Sequence, residues 1–286
     1  MRPQTIQIFL PAGDPRGVRV AEITTRIVRV IEVPRSLLAD FLDMPESQQP
    51  GLYYLVGGAG EGETAQLYIG QSGSVGGRLG QQNQSRDFWN RALVVVSLTN
   101  SITQTHVLFL EWLAIKEALA AERYALENGN NGARPHTPAP LEADCLEIHE
   151  TARTLLATLG YPVFEPVARP SERDDNEILF CKSSGAQGSG VYTSEGFVVL
   201  KGSIGRLDSV PSIVGTAGGK LRQRLLDAGV MRAEGATVVF EKDHLFRSPS
   251  MAGLALMGRT CNGWLDWKDA SGRTLNELKR QPSASS

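Results

Sequence analysis

The fold of this chain is decided by the stretch Gly51-Leu52-Tyr53-Tyr54-Leu55-Val56, which is followed after a loop by Leu67-Tyr68-Ile69-Gly70. Aromatic and aliphatic residues fill both runs, and glycine and glutamate dominate the loop between them. Two such runs on either side of a glycine-rich turn predict a β-hairpin. The two runs therefore place Tyr53 and Tyr68 on neighbouring strands.

The residues that follow the hairpin predict a helix, a strand and a second helix. Arg78 lies in the first helix, and the largely apolar run Ala92–Leu98 predicts a buried strand. From Thr103 to Glu127 apolar residues recur at helical spacing, so this segment predicts one long helix. Glu111 lies inside that helix.

Length and composition are those of a globular protein. The chain has 286 residues, of which 41% are hydrophobic and 21% charged, enough for two domains with real cores. Its apolar runs are shorter than the ~20 residues of a membrane span. The N-terminus lacks the apolar core of a secretory signal, so we expect a cytoplasmic protein. Three widely spaced cysteines without a C-x-x-C pair argue against a disulfide framework or a zinc knuckle.

Charge is unevenly distributed along the chain. The net charge is −2, which gives the whole molecule no electrostatic bias toward nucleic acid. Residues 141–200 contain 4 Lys and Arg against 10 Asp and Glu, whereas residues 201–286 contain 13 against 8. The basic last third permits a phosphate-facing surface there.

The order of these parts carries a resemblance to a known family. Gly51-Leu52-Tyr53, Tyr68-Ile69-Gly70, Arg78 and Glu111 resemble, in that order, the motif residues of the GIY-YIG endonuclease module. The chain also resembles bacterial proteins that carry this module before a small C-terminal domain of unknown function. Each residue alone is more often structural, because tyrosines in hairpins usually pack and helix arginines are usually solvated. Only the ordered set favours a site.

The resemblance implies a metal-dependent hydrolysis with assigned roles. Glu111 would hold one Mg²⁺, for which Mn²⁺ can substitute, and Arg78 would donate two hydrogen bonds to phosphate oxygens. Tyr53 would orient or deprotonate the attacking water, provided that the metal and Arg78 lower its pKa from the reference value of about 10. Tyr68 would position the substrate.

One position departs from the family pattern. Many members carry a histidine one helical turn after the arginine, and here that residue is Gln82, which cannot accept a proton at neutral pH. The base would then be a tyrosine, a metal-bound hydroxide or another group, or the site is slow or inactive. His106, near the start of the Glu111 helix, is a substitute candidate, although a surface histidine is the commoner case.

Four more residues complete the predicted site. Gly70, Gln82 and Trp89 are expected to contact substrate. The family's late asparagine, which contacts phosphate, matches either Asn128 or Asn130, and a helix-capping asparagine is the alternative for both.

The expected fold class is α/β in the α+β sense. A small central antiparallel sheet flanked by helices, as the resemblance implies, would form a GIY-YIG nuclease core at residues 51–140. An N-terminal β segment and hinge would precede it at 1–50, and a helix and β-hairpin connector would follow at 141–200. A small α/β domain, a candidate for contact with DNA, would end the chain at 201–286, with a strand at Gly263–Lys268.

Two tryptophans of the last domain lie among basic residues. Trp264 or Trp267 could stack on bases, while tryptophans in small domains are more often core, so we expect at least one of them in the core. Nearby, Gly215–Lys220 has the wrong spacing for a phosphate loop, and Leu221 replaces the required Ser or Thr. We therefore expect no nucleotide cofactor.

These observations predict an Mg²⁺-dependent DNA endonuclease, acting for example in phage defence, restriction or repair. Two alternatives stay open: a catalytically weak or inactive nucleic-acid-binding module, or a scaffold in a larger complex. DNA is the expected partner and a homo-oligomer is compatible with the sequence, whereas a membrane partner is not expected.

Overall fold

The computed structural model describes residues 3–58, 64–129, 132–167, 178–183 and 185–280. Contacts divide the chain into two compact units, which we call unit 1 (Met1–Ala59 and Thr64–Glu165) and unit 2 (Pro166–Ser286). Each unit combines helices with one sheet, which confirms the α+β fold class. In these described ranges, no helix has both the length and the apolar character needed to cross a membrane.

Unit 1 is a sheet with helices on both faces. Its strands are β1 (Ile6–Phe9), β2 (Arg19–Ile23), β3 (Val28–Pro34), β4 (Gly51–Val56), β5 (Gln66–Ser72), β6 (Arg91–Ser97) and β7 (Ala125–Leu126). Its helices are α1 (Leu38–Leu42), α2 (Val75–Ser85), α3 (Gln104–Ala121) and α4 (Ala139–Thr158). The strand order is β1-β2-β3-β6-β4-β5-β7, antiparallel except for the β5–β7 pair.

The predicted hairpin is the centre of this sheet. β4 and β5 pair in a register that sets Tyr53 opposite Gly70. Because side chains alternate along a strand, Tyr54 enters the core beneath α3 and α4, whereas Tyr53 enters the opposite core with residues of α1 and α2. Both faces of β4 are buried, which explains its continuous apolar sequence.

The long helix predicted at Thr103–Glu127 is shorter in the structure. α3 ends at Ala121, where Glu122 adopts a left-handed backbone with φ of 50°. Ala125 and Leu126 then form β7 and pair with β5. Tertiary pairing with the site strand thus overrides the local helical pattern.

The predicted boundaries at residues 50, 140 and 200 also differ from the observed division, which follows Glu165. The N-terminal strands join the central sheet, since β3 pairs with β6 from Val28 opposite Ser97 to Pro34 opposite Arg91. α4 packs into the core of unit 1, although an extended proline-rich segment precedes it. A proline-rich segment indicates irregular backbone but not necessarily a domain boundary. In this chain the segment before α4 lies within unit 1.

Unit 2 is a second sheet with helices packed against it. Its strands are β8 (Leu179–Ser183), β9 (Ala186–Tyr192), β10 (Phe197–Val199), β11 (Ile204–Arg206), β12 (Met231–Glu234), β13 (Thr237–Phe240) and β14 (His244–Phe246). Its helices are α5 (Ala217–Asp227), α6 (Pro249–Met257), α7 (Gly263–Asp266) and α8 (Leu275–Lys279). The strand order is β12-β13-β11-β9-β10-β14, and β8 pairs with β9.

The strand predicted at Gly263–Lys268 is wrong, because residues Gly263–Asp266 form the short helix α7. Asn262 caps this helix by accepting a hydrogen bond from Trp264 N at 3.2 Å. A Cβ on Gly263 would lie 2.2 Å from the backbone carbonyl carbon of Pro249, so the chain here packs against α6 at a distance only glycine allows. Close helix packing, invisible in the local sequence, decides the conformation.

Of the two tryptophans in unit 2, Trp267 lies in the core, as expected for at least one. It is fully buried, its ring centroid lies 4.3 Å from that of Phe197, and its Nε1 donates to Pro249 O at 3.0 Å. Trp264 is half-buried, and the Arg280 guanidinium lies 3.5 Å from its ring centroid. Among the described contacts, that face of Trp264 is therefore already covered.

His244 in β14 makes the stability of unit 2 sensitive to acid. Burial, aided by the charge of Lys242, lowers the pKa of His244 to about 4. Between pH 6.5 and 4 the unfolded chain binds a proton that the folded chain does not, so the free energy of unfolding falls as the pH falls. From pH 7 to pH 5 we expect this group to contribute a loss on the order of 2 kcal/mol.

The measurement compares the full chain with a His244→Phe variant, which keeps an aromatic ring beside Phe246. Native-state hydrogen exchange of β10 amides, at pH 7 and pH 5, gives the free energy of unfolding of unit 2 in each protein. The variant should lose less stability on acidification than the wild-type protein. Equal losses would refute the assignment to His244.

Candidate active site

Four elements of unit 1 bring the predicted motif residues together. β4 supplies Tyr53, β5 supplies Tyr68, α2 supplies Arg78 and α3 supplies Glu111. The ring centroids of the two tyrosines are 6.1 Å apart. Arg78 donates a hydrogen bond to Gln81 Oε1 at 3.0 Å, and its charge acts on both tyrosine hydroxyls and on the Glu111 carboxylate. Residues separated by up to 58 positions thus share one site.

Gly70 makes room for the Tyr53 ring. The two residues face each other across the β4–β5 pair, and a Cβ on Gly70 would lie 2.4 Å from both Cζ and Oη of Tyr53. Real atoms do not approach that closely, so any larger residue at this position would displace the phenol. Gly70 was predicted to contact substrate, and the role the structure gives it is to seat Tyr53.

Tyr53 is a buried phenol that stays protonated at neutral pH. Its side chain is 1% exposed, and burial raises its pKa to about 12 although hydrogen bonding to Arg78 acts in the opposite direction. The sequence-based expectation was that Tyr53 could deprotonate water if its pKa fell. The shift has the opposite sign, so Tyr53 is suited to donate a hydrogen bond rather than to accept a proton.

Gln82 links the two tyrosines. Its side chain is 5% exposed, its Nε2 donates to Tyr53 Oη at 3.3 Å, and its Oε1 accepts from Arg86 Nε at 2.8 Å. The Arg86 guanidinium carbon in turn lies 3.9 Å from the centroid of the Tyr68 ring. Gln82 was predicted to contact substrate, but both ends of its carboxamide are occupied by protein groups, so it positions neighbours instead.

Arg86 is the residue that the sequence prediction missed. Arg78, Gln82 and Arg86 are spaced four residues apart and therefore lie on one face of α2 and its C-terminal end. All three contact the tyrosine pair. The four-residue spacing is visible in the sequence and predicts a shared helix face. That this face lies against Tyr53 and Tyr68 is known only from the structure.

Glu111 is half-buried and faces a cation. Burial raises the pKa of Glu111, while a hydrogen bond from the Gln71 backbone and the charge of Arg78 act in the opposite direction. A carboxylate whose charged form is disfavoured by burial gains from an added cation, so Glu111 fits a metal ligand. Among the described residues no group of three or more His, Cys, Asp or Glu side chains converges. A magnesium ion that keeps most of its waters needs only one carboxylate.

Asn128 holds the site strand from its edge. Its Nδ2 donates to Ile69 O at 2.8 Å and its Oδ1 accepts from Ile69 N at 3.0 Å. It is not a helix cap, because α3 ends at Ala121. Its two backbone bonds differ from the predicted phosphate contact. The rival Asn130 lies outside the described residues.

Two further candidates have structural roles. Trp89 is 1% exposed and packs in the same core as Tyr53, so its ring is not available for the predicted contact with substrate. The Arg35 guanidinium carbon lies 4.9 Å from its ring centroid. His106 forms a capping box with Thr103, whose backbone N donates to His106 Nδ1 at 3.1 Å. It caps α3 and is no substitute for the missing histidine.

Comparison with known proteins gives one match. Residues 179–279 match the family model DUF4357, a domain of unknown function. No curated protein and no solved structure matches the chain. The match lies within unit 2, and it contains the residues Asp243–Lys268 on which the sequence resembles an appended domain of unknown function. The candidate site in unit 1 is outside the matched residues, and unit 2 is similar to DUF4357.

Proposed function

We propose that this protein is an Mg²⁺-dependent endonuclease of the GIY-YIG type that hydrolyses DNA phosphodiester bonds. One observation carries the proposal: the Arg78 guanidinium interacts electrostatically with the hydroxyls of Tyr53 and Tyr68 and with the Glu111 carboxylate. The arrangement places a phosphate-binding cation, hydrogen-bond donors and a candidate metal ligand close together. Phosphodiester hydrolysis requires these groups to neutralise charge on a five-coordinate phosphorus.

Each side chain has a task that follows from its environment. Arg78 is exposed at the surface of α2 and donates to phosphate oxygens. Tyr53 Oη accepts a hydrogen bond from Gln82, so its own proton is directed to a further acceptor. Tyr68 is half-buried, and it is the phenol that contacts the attacking water. Glu111 holds the metal, which when bound neutralises phosphate charge and makes a coordinated water more acidic.

The three cysteines are free thiols, and the cytoplasm forms part of this proposal. Free thiols persist in a reducing compartment, where a nuclease also meets DNA. The compartment does not affect the chemistry assigned to the site.

The test is incubation of the purified full chain with supercoiled, single-stranded and branched DNA in Mg²⁺, in Mn²⁺ and in EDTA. We expect nicking of at least one substrate with either metal and none in EDTA. Binding without cleavage on every substrate would reject the nuclease and favour a nucleic-acid-binding module. No DNA binding even at low salt, where phosphate contacts are strongest, would favour a scaffold.

The binding module is the second candidate because two observations favour it. Gln82 cannot accept a proton, and burial keeps the Tyr53 phenol protonated. Arg78 would still bind phosphate in such a protein. Cleavage by the wild-type protein decides between the two candidates.

A further inference from the structure

Arg86 has a guanidinium that is fixed in place and only partly used. One face of the group covers the Tyr68 ring at 3.9 Å from its centroid, and Nε donates to Gln82 Oε1 at 2.8 Å. Stacking on an aromatic ring together with a hydrogen bond at Nε fixes the plane of a guanidinium. The two terminal nitrogens then point in a defined direction.

Those terminal nitrogens have no protein acceptor among the described residues, and no carboxylate there forms an ion pair with Arg86. Other arginines of unit 1 differ. Arg35 donates to Asn83, Asp87 and Trp89, and Arg29 pairs with Glu22 and Glu46. Every guanidinium nitrogen of Arg35 and Arg29 donates to a protein oxygen, so these two groups hold the fold together. Arg86 combines a fixed position with unused donors.

Arg86 also lies next to the residues assigned to the phosphate. Arg78 is two helical turns earlier, which is about 12 Å along a helix axis at ~1.5 Å per residue. Both side chains interact with Tyr68, since the charge of Arg78 acts on its hydroxyl and the Arg86 guanidinium covers its ring. Because the two arginines start two helical turns apart, they can contact different phosphates of one strand, which follow one another every ~3.4 Å along the axis of B-DNA.

We propose that Arg86 binds a second phosphate of the nucleic-acid strand, next to the phosphodiester held by Arg78. This inference rests on the proposed function for the identity of the substrate. It makes the site selective for polynucleotides, since a mononucleotide offers only one of the two phosphates. Gln82 and Tyr68 position Arg86 for this contact.

The test measures binding of a labelled DNA duplex in EDTA at several salt concentrations, for the wild-type protein, Arg86→Gln and Arg86→Lys. Arg86→Gln should weaken binding about tenfold at low salt, and the slope of log K against log salt should decrease by about one phosphate contact. Arg86→Lys keeps the charge without the planar fork, so it should retain the slope and lose part of the affinity. Where the wild-type protein cleaves, Arg86→Gln should raise KM and leave kcat nearly unchanged.

Arg16→Gln is the matched control. Arg16 is an exposed arginine between β1 and β2, where its Nε lies 3.4 Å from Asp14, and three strands separate β2 from β5. The Arg16→Gln variant should bind DNA with the same slope of log K against log salt as the wild-type protein. A cation at the C-terminus of α2 also stabilises that helix, so removing the Arg86 charge can lower stability without any DNA contact. Thermal unfolding of each variant measures this effect, which does not change the slope of DNA binding against salt.

The outcomes separate this inference from the proposed function. An Arg86→Gln slope equal to that of the wild-type protein overturns the phosphate contact, even if the wild-type protein cleaves DNA. A reduced slope together with no cleavage by the wild-type protein supports the contact and overturns only the nuclease. Absence of wild-type binding at the lowest salt overturns both.

Discussion

Glu111→Gln is expected to lower the rate of Mg²⁺-dependent nicking by at least about 100-fold. Glutamine has the shape of glutamate and can still accept the Gln71 backbone hydrogen bond, so α3 should keep its position. It carries no charge and binds a magnesium ion poorly. Arg78→Ala should have an effect of the same size, because it removes the donors for phosphate oxygens.

Nicking of supercoiled DNA measures both rates, and circular dichroism with thermal unfolding verifies the fold. Glu122→Gln is the matched control, since Glu122 is exposed at the end of the same helix. EDTA should reduce the wild-type rate to that of Glu111→Gln. Full activity of either Glu111→Gln or Arg78→Ala would reject the assignment of this site.

Arg222→Met is expected to destabilise unit 2 by about 3 kcal/mol. Arg222 is 3% exposed and donates to the carbonyl oxygens of Ala255, Arg206 and Leu207, the last at 3.1 Å. Burial and the nearby Arg206 lower the pKa of Arg222, and no carboxylate pairs with it among the described residues. Methionine fills similar space but removes the donor from three carbonyl oxygens, two of them part-buried and one, in the last turn of α6, fully buried.

Hydrogen exchange of the β10 and β13 amides in the full chain measures this loss. Lys220→Met serves as the control, because Lys220 is an exposed cation on the same helix, α5. Its effect should stay within about 0.5 kcal/mol. If Arg222→Met is as stable as the wild-type protein, then removing a buried charge offsets the lost hydrogen bonds, and Arg222 does not hold α6 in place.

Local patterns predicted most elements of unit 1 because apolar runs and helical spacing are properties of short segments. They failed where a distant partner decides the conformation. β7 has two residues, too few for a pattern, and exists because β5 offers it hydrogen bonds. In α7, Gly263 and the alternating residues after it resemble a strand, yet contact with Pro249 sets the backbone. The proline-rich segment before α4 led us to predict a domain boundary at residue 140, but α4 packs against distant residues of the unit 1 core.

For the candidate site, too, some features could be predicted from the sequence and others required the structure. An ordered motif was sufficient to identify Tyr53, Tyr68, Arg78 and Glu111, whose mutual positions follow from the register of one hairpin and two helices. The direction of the Tyr53 pKa shift was not predictable, because it depends on how deeply the core buries that ring. The burial of Trp89, the bridging role of Gln82 and the stacking of Arg86 likewise require the folded chain.

Asn128 determines how the sheet edge beside the site meets other molecules. Ala125 N and Glu127 N, at β7, donate to the outer carbonyl oxygens of Ala65 and Leu67, and the carboxamide of Asn128 continues this ladder at Ile69, as a further peptide group would. An edge that ends in two residues and one side chain is too short to template a strand from another chain. The sheet edge beside Tyr68 is therefore unsuited to pairing with a strand of another molecule.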